Sequence, residues 1–237
     1  MLKSLLLALV CVTGCAAEAR LPASYFAEGG TVLAPGQVAI TGVAGAGGTL
    51  DGTAAGVGGR VRVGIGDGQE VGIEAAGIEM TSPTSHCAFD CGDSTPTYAT
   101  IRSRSAMLSY KYQLRPELAV ITGLGLSEHR DASGAVMPDA DDHGRSIDAS
   151  VAVVRSLRLT EGVDFYAGVR AALATPTQAH QNPHASSVGG VTSGLGLDVR
   201  LSKQLHGYVE AGPRAMLISN EGPTLGASAV AGLGLVL

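Results

Sequence analysis

The feature that most constrains this chain is strict two-residue alternation, in which every second side chain is apolar over many separate segments. In the clearest segment, residues 163–173, one face would carry Val163, Phe165, Ala167, Val169, Ala171 and Leu173. Asp164, Tyr166 and Arg170 would lie on the opposite face. A helix would scatter these charges around its circumference, whereas a β-strand places alternate residues on opposite faces. The segment is therefore predicted to be a strand.

The same alternation recurs along the chain and predicts ten strands, with eight as the alternative count. The predicted strands span residues 38–46, 59–66, 70–77, 98–114, 118–126, 147–159, 163–173, 191–201, 205–217 and 227–237. The links at 66–68, 115–117, 160–162 and 202–204 are short, whereas those at 82–97, 127–144, 176–185 and 219–224 are mostly long and polar. Short turns between strands predict an all-β, antiparallel fold in which consecutive strands pair.

This architecture resembles the small β-barrels of Gram-negative outer membranes, which have short periplasmic turns and longer extracellular loops. The resemblance covers residues 36–237. It implies an antiparallel transmembrane β-barrel in the bacterial outer membrane, surrounded by outer-membrane lipids, with both termini periplasmic. Aromatic residues make up only 4% of the chain and the last residue is Leu237, which departs from the aromatic-rich family pattern. The alternative is a lipid-tethered soluble β-sandwich that acts as a binding module.

The N-terminus predicts export. A basic start at Lys3 precedes an apolar run over residues 4–12, as in a signal peptide. Residues 12–15, Val-Thr-Gly-Cys, resemble the lipobox of bacterial lipoproteins, in which the cysteine is lipidated and becomes the mature N-terminus. The resemblance implies a signal peptide of residues 1–14, lipidation of Cys15 and a linker over 15–35. The alternative is an ordinary secretory signal cut near Ala16 and Ala17.

Cysteine usage and charge narrow the chemistry. Once the signal is removed and Cys15 is lipidated, Cys87 and Cys91 remain, within a turn-rich stretch. An oxidising compartment predicts a disulfide between them; a metal site is the alternative, although zinc usually takes four ligands. The net charge of −5, without a basic block, argues against a nucleic-acid partner. We predict neither a bound metal nor another cofactor.

The polar faces of the predicted strands carry charges of both signs. If Asp67 centres an odd-length turn, Arg60 pairs with Glu74, and Arg62 lies near Glu70. Because an unpaired buried charge is costly, these residues predict a lumen of paired charges, either purely structural or lining a narrow conduit. The candidate lumen charges are Arg60, Arg62, Glu70, Glu74, Asp148, Asp164, Arg170, Asp198, Arg200, Glu210 and Arg214, and the pattern also includes Arg158.

Two further arginines have alternative placements. If Tyr110 and Tyr112 face outward at the periplasmic interface, the same face brings Arg102 and Arg104 to the outer rim. There they would meet the phosphates of lipopolysaccharide, which suit the arginine fork. Alternatively, a β-bulge would turn both side chains inward.

An enzyme is the alternative function. His184 and Ser186 followed by Asp198 resemble the His-x-Ser-plus-acid arrangement of a barrel enzyme that deacylates lipid A. However, one extended segment would separate Ser186 from Asp198 by about 40 Å at roughly 3.3 Å per residue, too far for a triad. Outer-membrane aspartyl-type proteases are also ten-stranded barrels with acidic and Asp-His pairs at their rim. The loose matches here are Asp90 with Asp93, and Asp142 with His143.

A calcium-loop spacing is also present but incomplete. Asp139, Asp141 and His143 stand at the first, third and fifth positions, and Gly144 at the sixth. The twelfth position is Ser150 rather than a bidentate glutamate, and histidine is a poor ligand for calcium. We therefore expect no metal site, and a surface-exposed structural or adhesion-type component or a narrow passive channel rather than an enzyme.

The first prediction concerns the anchor. Replacing Cys15 by Ser should abolish incorporation of labelled fatty acid and leave the signal uncut by the lipoprotein peptidase, because the thiol is the site of acylation. Unchanged acyl incorporation in the Cys15→Ser protein would exclude the lipobox.

Overall fold

A computed structural model describes residues 29–49, 52–84, 97–131, 143–177, 187–218 and 224–237. The predicted signal peptide, Cys15, and the Cys87 and Cys91 pair lie outside these residues and stay predictions. Over the described ranges, no helix is long and apolar enough to cross a membrane.

The described residues form ten antiparallel strands, each paired with the next in the sequence, and β1 pairs with β10 to close a barrel. The strands are β1 (Val38–Thr49), β2 (Gly52–Gly66), β3 (Gln69–Thr84), β4 (Thr97–Arg115), β5 (Leu118–Asp131), β6 (His143–Thr160), β7 (Val163–Pro176), β8 (Val188–Arg200), β9 (Leu205–Ile218) and β10 (Thr224–Val236). The predicted fold class, an all-β antiparallel barrel of about ten strands, is confirmed.

One end of the barrel carries the short turns between β2 and β3, β4 and β5, β6 and β7, and β8 and β9. Gly68 and Gly162 have φ angles of 69° and 88° in two of these turns, a conformation that glycine adopts without a Cβ clash. Register shifts lie beside three of the turns, as expected where a three-residue hairpin ends in a bulge. We call this the short-turn end and the opposite one the long-loop end.

Both ends of the barrel domain meet at the short-turn end. The backbone N–H of Val38 donates to the carbonyl of Leu237 at 3.2 Å, and that of Leu237 donates to the carbonyl of Val38 at 2.8 Å. An even number of strands returns the chain to the side on which it began.

Burial alternates along each strand and separates an interior face from an exterior one. In β7, Tyr166 and Arg170 are 0% and 5% exposed, whereas Val169 and Leu173 are 53% and 49% exposed. Large apolar side chains are exposed in the same way on all ten strands. The exterior is therefore apolar, and the interior holds most of the buried polar groups.

The strands extend beyond the sequence prediction at the long-loop end. The small-residue stretch 47–58 has too few large side chains to show alternation, yet it forms the ends of β1 and β2, which leave only residues 50–51 between them. Likewise, β5 continues to Asp131 and β6 starts at His143, inside the link predicted over 127–144. Cross-strand pairing with neighbours supports these extensions where the local sequence pattern is weak.

The second prediction concerns the exterior. Val169 faces outward in the middle of β7, so an arginine there would face lipid if the apolar exterior contacts acyl chains. Val169→Arg should lower the free energy of unfolding in lipid vesicles by about 2–4 kcal/mol. The control, Gln204→Arg in an exposed short turn, should change it by less than about 0.5 kcal/mol. Equal effects at the two positions would contradict a lipid-facing wall.

Candidate functional site: the barrel lumen

Two buried ion pairs join β2 to β3 in the lumen. Arg60 lies opposite Glu74 in the register, as the odd-length turn at Asp67 predicts. Arg60 Nε and Nη2 donate to Glu74 Oε2 at 3.0 and 2.6 Å. Arg62 Nη1 donates to Glu70 Oε1 at 3.2 Å. All four residues are at most 6% exposed, so each charge is compensated within the barrel rather than by bulk water.

The N-terminal segment, residues 29–37, lies across the short-turn mouth of the barrel. Lys111 Nζ, on β4, donates to the carbonyls of Gly29 and Thr31 at 2.8 and 2.7 Å. On β3, Glu70 Oε2 accepts from the backbone N–H of Leu33 at 3.1 Å. Residues 15–35 were predicted to be a linker, and the described part of that range makes specific contacts with strands.

Glycine at position 30 permits the close approach of this segment to the wall. Its backbone N–H donates to Ser156 Oγ on β6. A Cβ there would lie 2.4 Å from the carbonyl oxygen of Glu117 and 2.8 Å from that of Val154. Because both atoms belong to the backbone, a larger side chain would push the segment away from the wall. The segment therefore contacts β3, β4 and β6 and narrows this mouth.

Farther round the lumen, a tyrosine spans from β7 to β9. Tyr166 is fully buried, and its hydroxyl donates to Glu210 Oε2 at 3.2 Å. The ring crosses β8 at Gly196, where a Cβ would lie 2.2 Å from the ring carbon that carries the hydroxyl. Any residue with a side chain at position 196 would displace the ring. Glu210 thus gains a neutral hydrogen-bond donor, which the spacing of charges did not predict.

A second buried cluster lies toward the long-loop end on β5 and β6. Ser127 and Ser146 both donate to the carboxylate of Asp148, the latter at 2.8 Å. His129 Nε2 lies 3.5 Å from Ser146 Oγ. Among the described contacts, the carboxylate of Asp148 accepts from the two serines, which is not the acid–histidine–serine order of a hydrolase triad. Of these residues, the alternation along the strands predicted only Asp148 as a lumen residue, because Ser127 and His129 lie in the link predicted over 127–144.

The remaining predicted lumen charges lie at different depths. Arg170 and Glu210 are buried, whereas Asp164, Asp198 and Arg214 are partly exposed. Asp198 Oδ1 is 2.8 Å from Nδ1 of His206, and Asp164 Oδ1 is 3.6 Å from Nε of Arg158. Arg200 is exposed because β8 ends there, and Arg158 is exposed beside a register shift. Both arginines lie on the same face as the lumen-lining residues of their strands, at the short-turn mouth, where the predicted inward direction is compatible with their exposure.

The residues considered for catalysis or metal binding are mostly outside the described part. These are Asp90, Asp93, Asp139, Asp141, Asp142, His184 and Ser186, and the side chain of His143 is not described either. Asp198 is described, and its Oδ1 lies 2.8 Å from Nδ1 of His206. Within the described ranges, no three His, Cys, Asp or Glu side chains group so as to hold a metal ion.

The third prediction concerns the buried pairs. Arg60→Ala should lower the free energy of unfolding by about 3–5 kcal/mol, because it leaves Glu74 buried without its partner. Arg60→Ala combined with Glu74→Ala should recover part of this loss in a double-mutant cycle. The control is the exposed pair Arg102 and Glu79, whose cycle should give a coupling of about 0–1 kcal/mol. Equal coupling in the two cycles would mean that the first pair is as solvated as the second.

Comparison with known proteins shows likeness in fold. No protein-family model and no curated protein matches the sequence. An outer-membrane channel from Pseudomonas putida F1 superposes with a TM-score of 0.50 at 9% identity, over 91% of this chain and 99% of that one. The β-domain of the Bordetella autotransporter BrkA gives a TM-score of 0.49 at 13% sequence identity, over 86% of this chain and 99% of that domain. The translocator domain of the autotransporter NalP from Neisseria meningitidis gives a TM-score of 0.46 at 11% sequence identity, over 86% of this chain and 89% of that domain.

Proposed function

We propose that the chain is an outer-membrane β-barrel protein that serves as a surface-exposed structural or adhesion-type component. The observation that best supports a membrane location is the apolar exterior, to which every strand contributes exposed side chains. A water-soluble protein seldom exposes so continuous an apolar surface. One exterior residue from each strand, between 46% and 66% exposed, illustrates it: Ile40, Val57, Ile73, Leu108, Leu124, Val151, Val169, Leu195, Val209 and Leu225.

The exterior of β4 also has the order of zones expected across a bilayer. Arg102 and Arg104 lie at the long-loop end, Leu108 follows, and Tyr110 and Tyr112 lie toward the short-turn end. Aromatic side chains favour membrane interfaces, and charges favour the region beyond the acyl chains. This order favours the membrane barrel over the lipid-tethered soluble sandwich.

The connections support one direction of insertion. In outer-membrane barrels the short turns are periplasmic and the longer loops are extracellular. The short-turn end carries the start of β1 and the end of β10, so this orientation makes the start and end of the barrel periplasmic. A lipid on Cys15 would then anchor the mature N-terminus on the same side of the membrane.

The state of the lumen favours a structural role over an open pore. Residues 29–33 hydrogen-bond to Glu70, Lys111 and Ser156 across the short-turn mouth. The paired charges and the Tyr166–Glu210 contact take up further interior positions. The long loops would be the part that meets the cell's surroundings.

A narrow passive channel is the second candidate. The polar lining favours it, because buried polar side chains continue from Glu70 near the short turns, through Arg170 and Thr192, to Asp148 near the long loops. Displacement of the N-terminal segment would be needed to open the short-turn mouth. An enzyme is the less supported alternative. Among the described contacts, Asp148 accepts from two serines and Asp198 pairs with His206, and neither acid is joined to a histidine and a serine in the order of a catalytic triad.

The fourth prediction separates these roles. The purified full chain should give no steady ion conductance in planar bilayers, because its own N-terminal segment narrows the short-turn mouth and paired side chains take up the lumen. Gly30→Leu, which collides with two backbone carbonyls, should displace the segment and raise the conductance. Gly42→Leu is the matched control, because a Cβ at this exterior glycine meets nothing within 4 Å. A steady wild-type conductance as large as that of Gly30→Leu would favour the channel instead, and no conductance in either chain would contradict the role given to the segment.

A further inference from the structure

The exterior of β3 to β6 carries a charged surface at the long-loop end. Two cross-strand rows form it, one from Glu79 through Arg102 to Arg130, and the next from Arg104 through Glu128 to Arg145. Four arginines face two glutamates in these rows. We call the four arginines the arginine patch. Together the two rows carry two more positive charges than negative ones, although the whole chain has a net charge of −5.

The arginine patch points away from the lumen. The pairing of β4 with β3 is continuous through residues 101–112, so no bulge turns Arg102 or Arg104 inward. Ser103 and Met107, on the other face of β4, are buried. The side chains of Arg102 and Arg145 are 66% and 65% exposed. Of the two placements that the sequence allowed, the outward one is observed.

The ion pairs within the two exterior rows leave part of their positive charge uncompensated. Arg102 Nε lies 2.8 Å from Glu79 Oε2, and Arg145 Nη2 lies 3.8 Å from Glu128 Oε1. Among the described side chains, neither Arg104 nor Arg130 forms an ion pair. Moreover, Arg102 lies directly opposite Arg130 across β4 and β5. Like charges at directly opposed positions destabilise a sheet, so an anion bound between them would relieve the repulsion.

An apolar groove adjoins the patch on the exterior wall. It is a shallow, open depression of about 460 Å³ over the backbone of β2 to β4, lined by the outward side chains of Val57, Ala75 and Arg104, by Gly59 and Gly77, and by small inward-facing residues such as Gly58 and Ala76. Gly77 is the register partner of Arg104, and a Cβ at Gly77 would meet nothing within 4 Å. The wall is thus recessed on the apolar side of the arginines, where an acyl chain would lie in a bilayer.

We propose that the arginine patch binds the phosphate groups of a phosphorylated glycolipid of the outer leaflet, with one acyl chain in the Gly77 groove. The inference rests on the proposed function, which turns the long-loop end toward the cell surface. Guanidinium groups bind phosphate through paired hydrogen bonds, so Arg104 and Arg130 supply the free donors. A single lipid would satisfy the charge surplus and the apolar groove together, which a soluble anion would not.

The test uses the full chain in nanodiscs of phosphatidylcholine, with lipid A as the probe and dephosphorylated lipid A as the comparison. Native mass spectrometry measures binding. Arg104→Gln with Arg130→Gln should weaken lipid A binding about tenfold or more, since both lost groups are charged phosphate donors. The control is Arg155→Gln with Arg158→Gln, two exposed arginines toward the short-turn end, and it should retain wild-type binding.

A further variant separates a lipid from a simple anion. Gly77→Phe fills the groove and should weaken binding of lipid A, but not of the phosphorylated disaccharide without acyl chains. Equal binding of phosphorylated and dephosphorylated lipid A would overturn the proposal, and so would equal losses in the test and control pairs. An unchanged affinity for lipid A in Gly77→Phe would replace the lipid site with an anion site. Co-flotation of each variant with vesicles reports insertion separately, so a chain that fails to float contradicts the proposed function rather than the lipid site alone.

Discussion

The pairing of β1 with β10 is the constraint on which the rest of the structure depends. A sheet that closes on itself leaves no edge strand, so its backbone N–H and C=O groups can be satisfied without water. Closure also fixes which face of each strand lines the lumen. Exposed leucine, isoleucine and valine side chains then follow on the outside, and the ion pairs of Arg60 and Arg62 follow on the inside.

Much of this fold could be predicted from the sequence because its main signals are local. Alternation along β7 assigned Val169 and Arg170 to opposite faces, and the odd-length turn at Asp67 set Arg60 opposite Glu74. Both predictions need only a period of two and the position of one turn. The ends of β1 and β2 could not be found in this way, because small residues on both faces give no contrast.

The contacts of the N-terminal segment could not be predicted for a different reason. Gly29 and Gly30 look like linker residues when only their neighbours in sequence are considered. Their partners, Lys111 and Ser156, lie far along the chain and become adjacent only when the barrel closes. The Tyr166–Glu210 contact over Gly196 is equally non-local. Periodicity identifies the lining of the lumen, but not what lies across it.

The interior and the exterior therefore support different parts of the proposed function. The apolar exterior supports residence in a membrane, and the segment across the short-turn mouth supports a closed rather than an open lumen. Membrane residence is the central claim, and membrane fractionation followed by gel electrophoresis tests it most directly. A membrane barrel predicts that the chain from Ala16 onward, exported behind a cleavable secretory signal and therefore without lipid, stays in the membrane pellet after an alkaline carbonate wash, and migrates faster unheated than boiled. Release into the wash as a detergent-free soluble protein, with the same migration before and after boiling, would contradict the account.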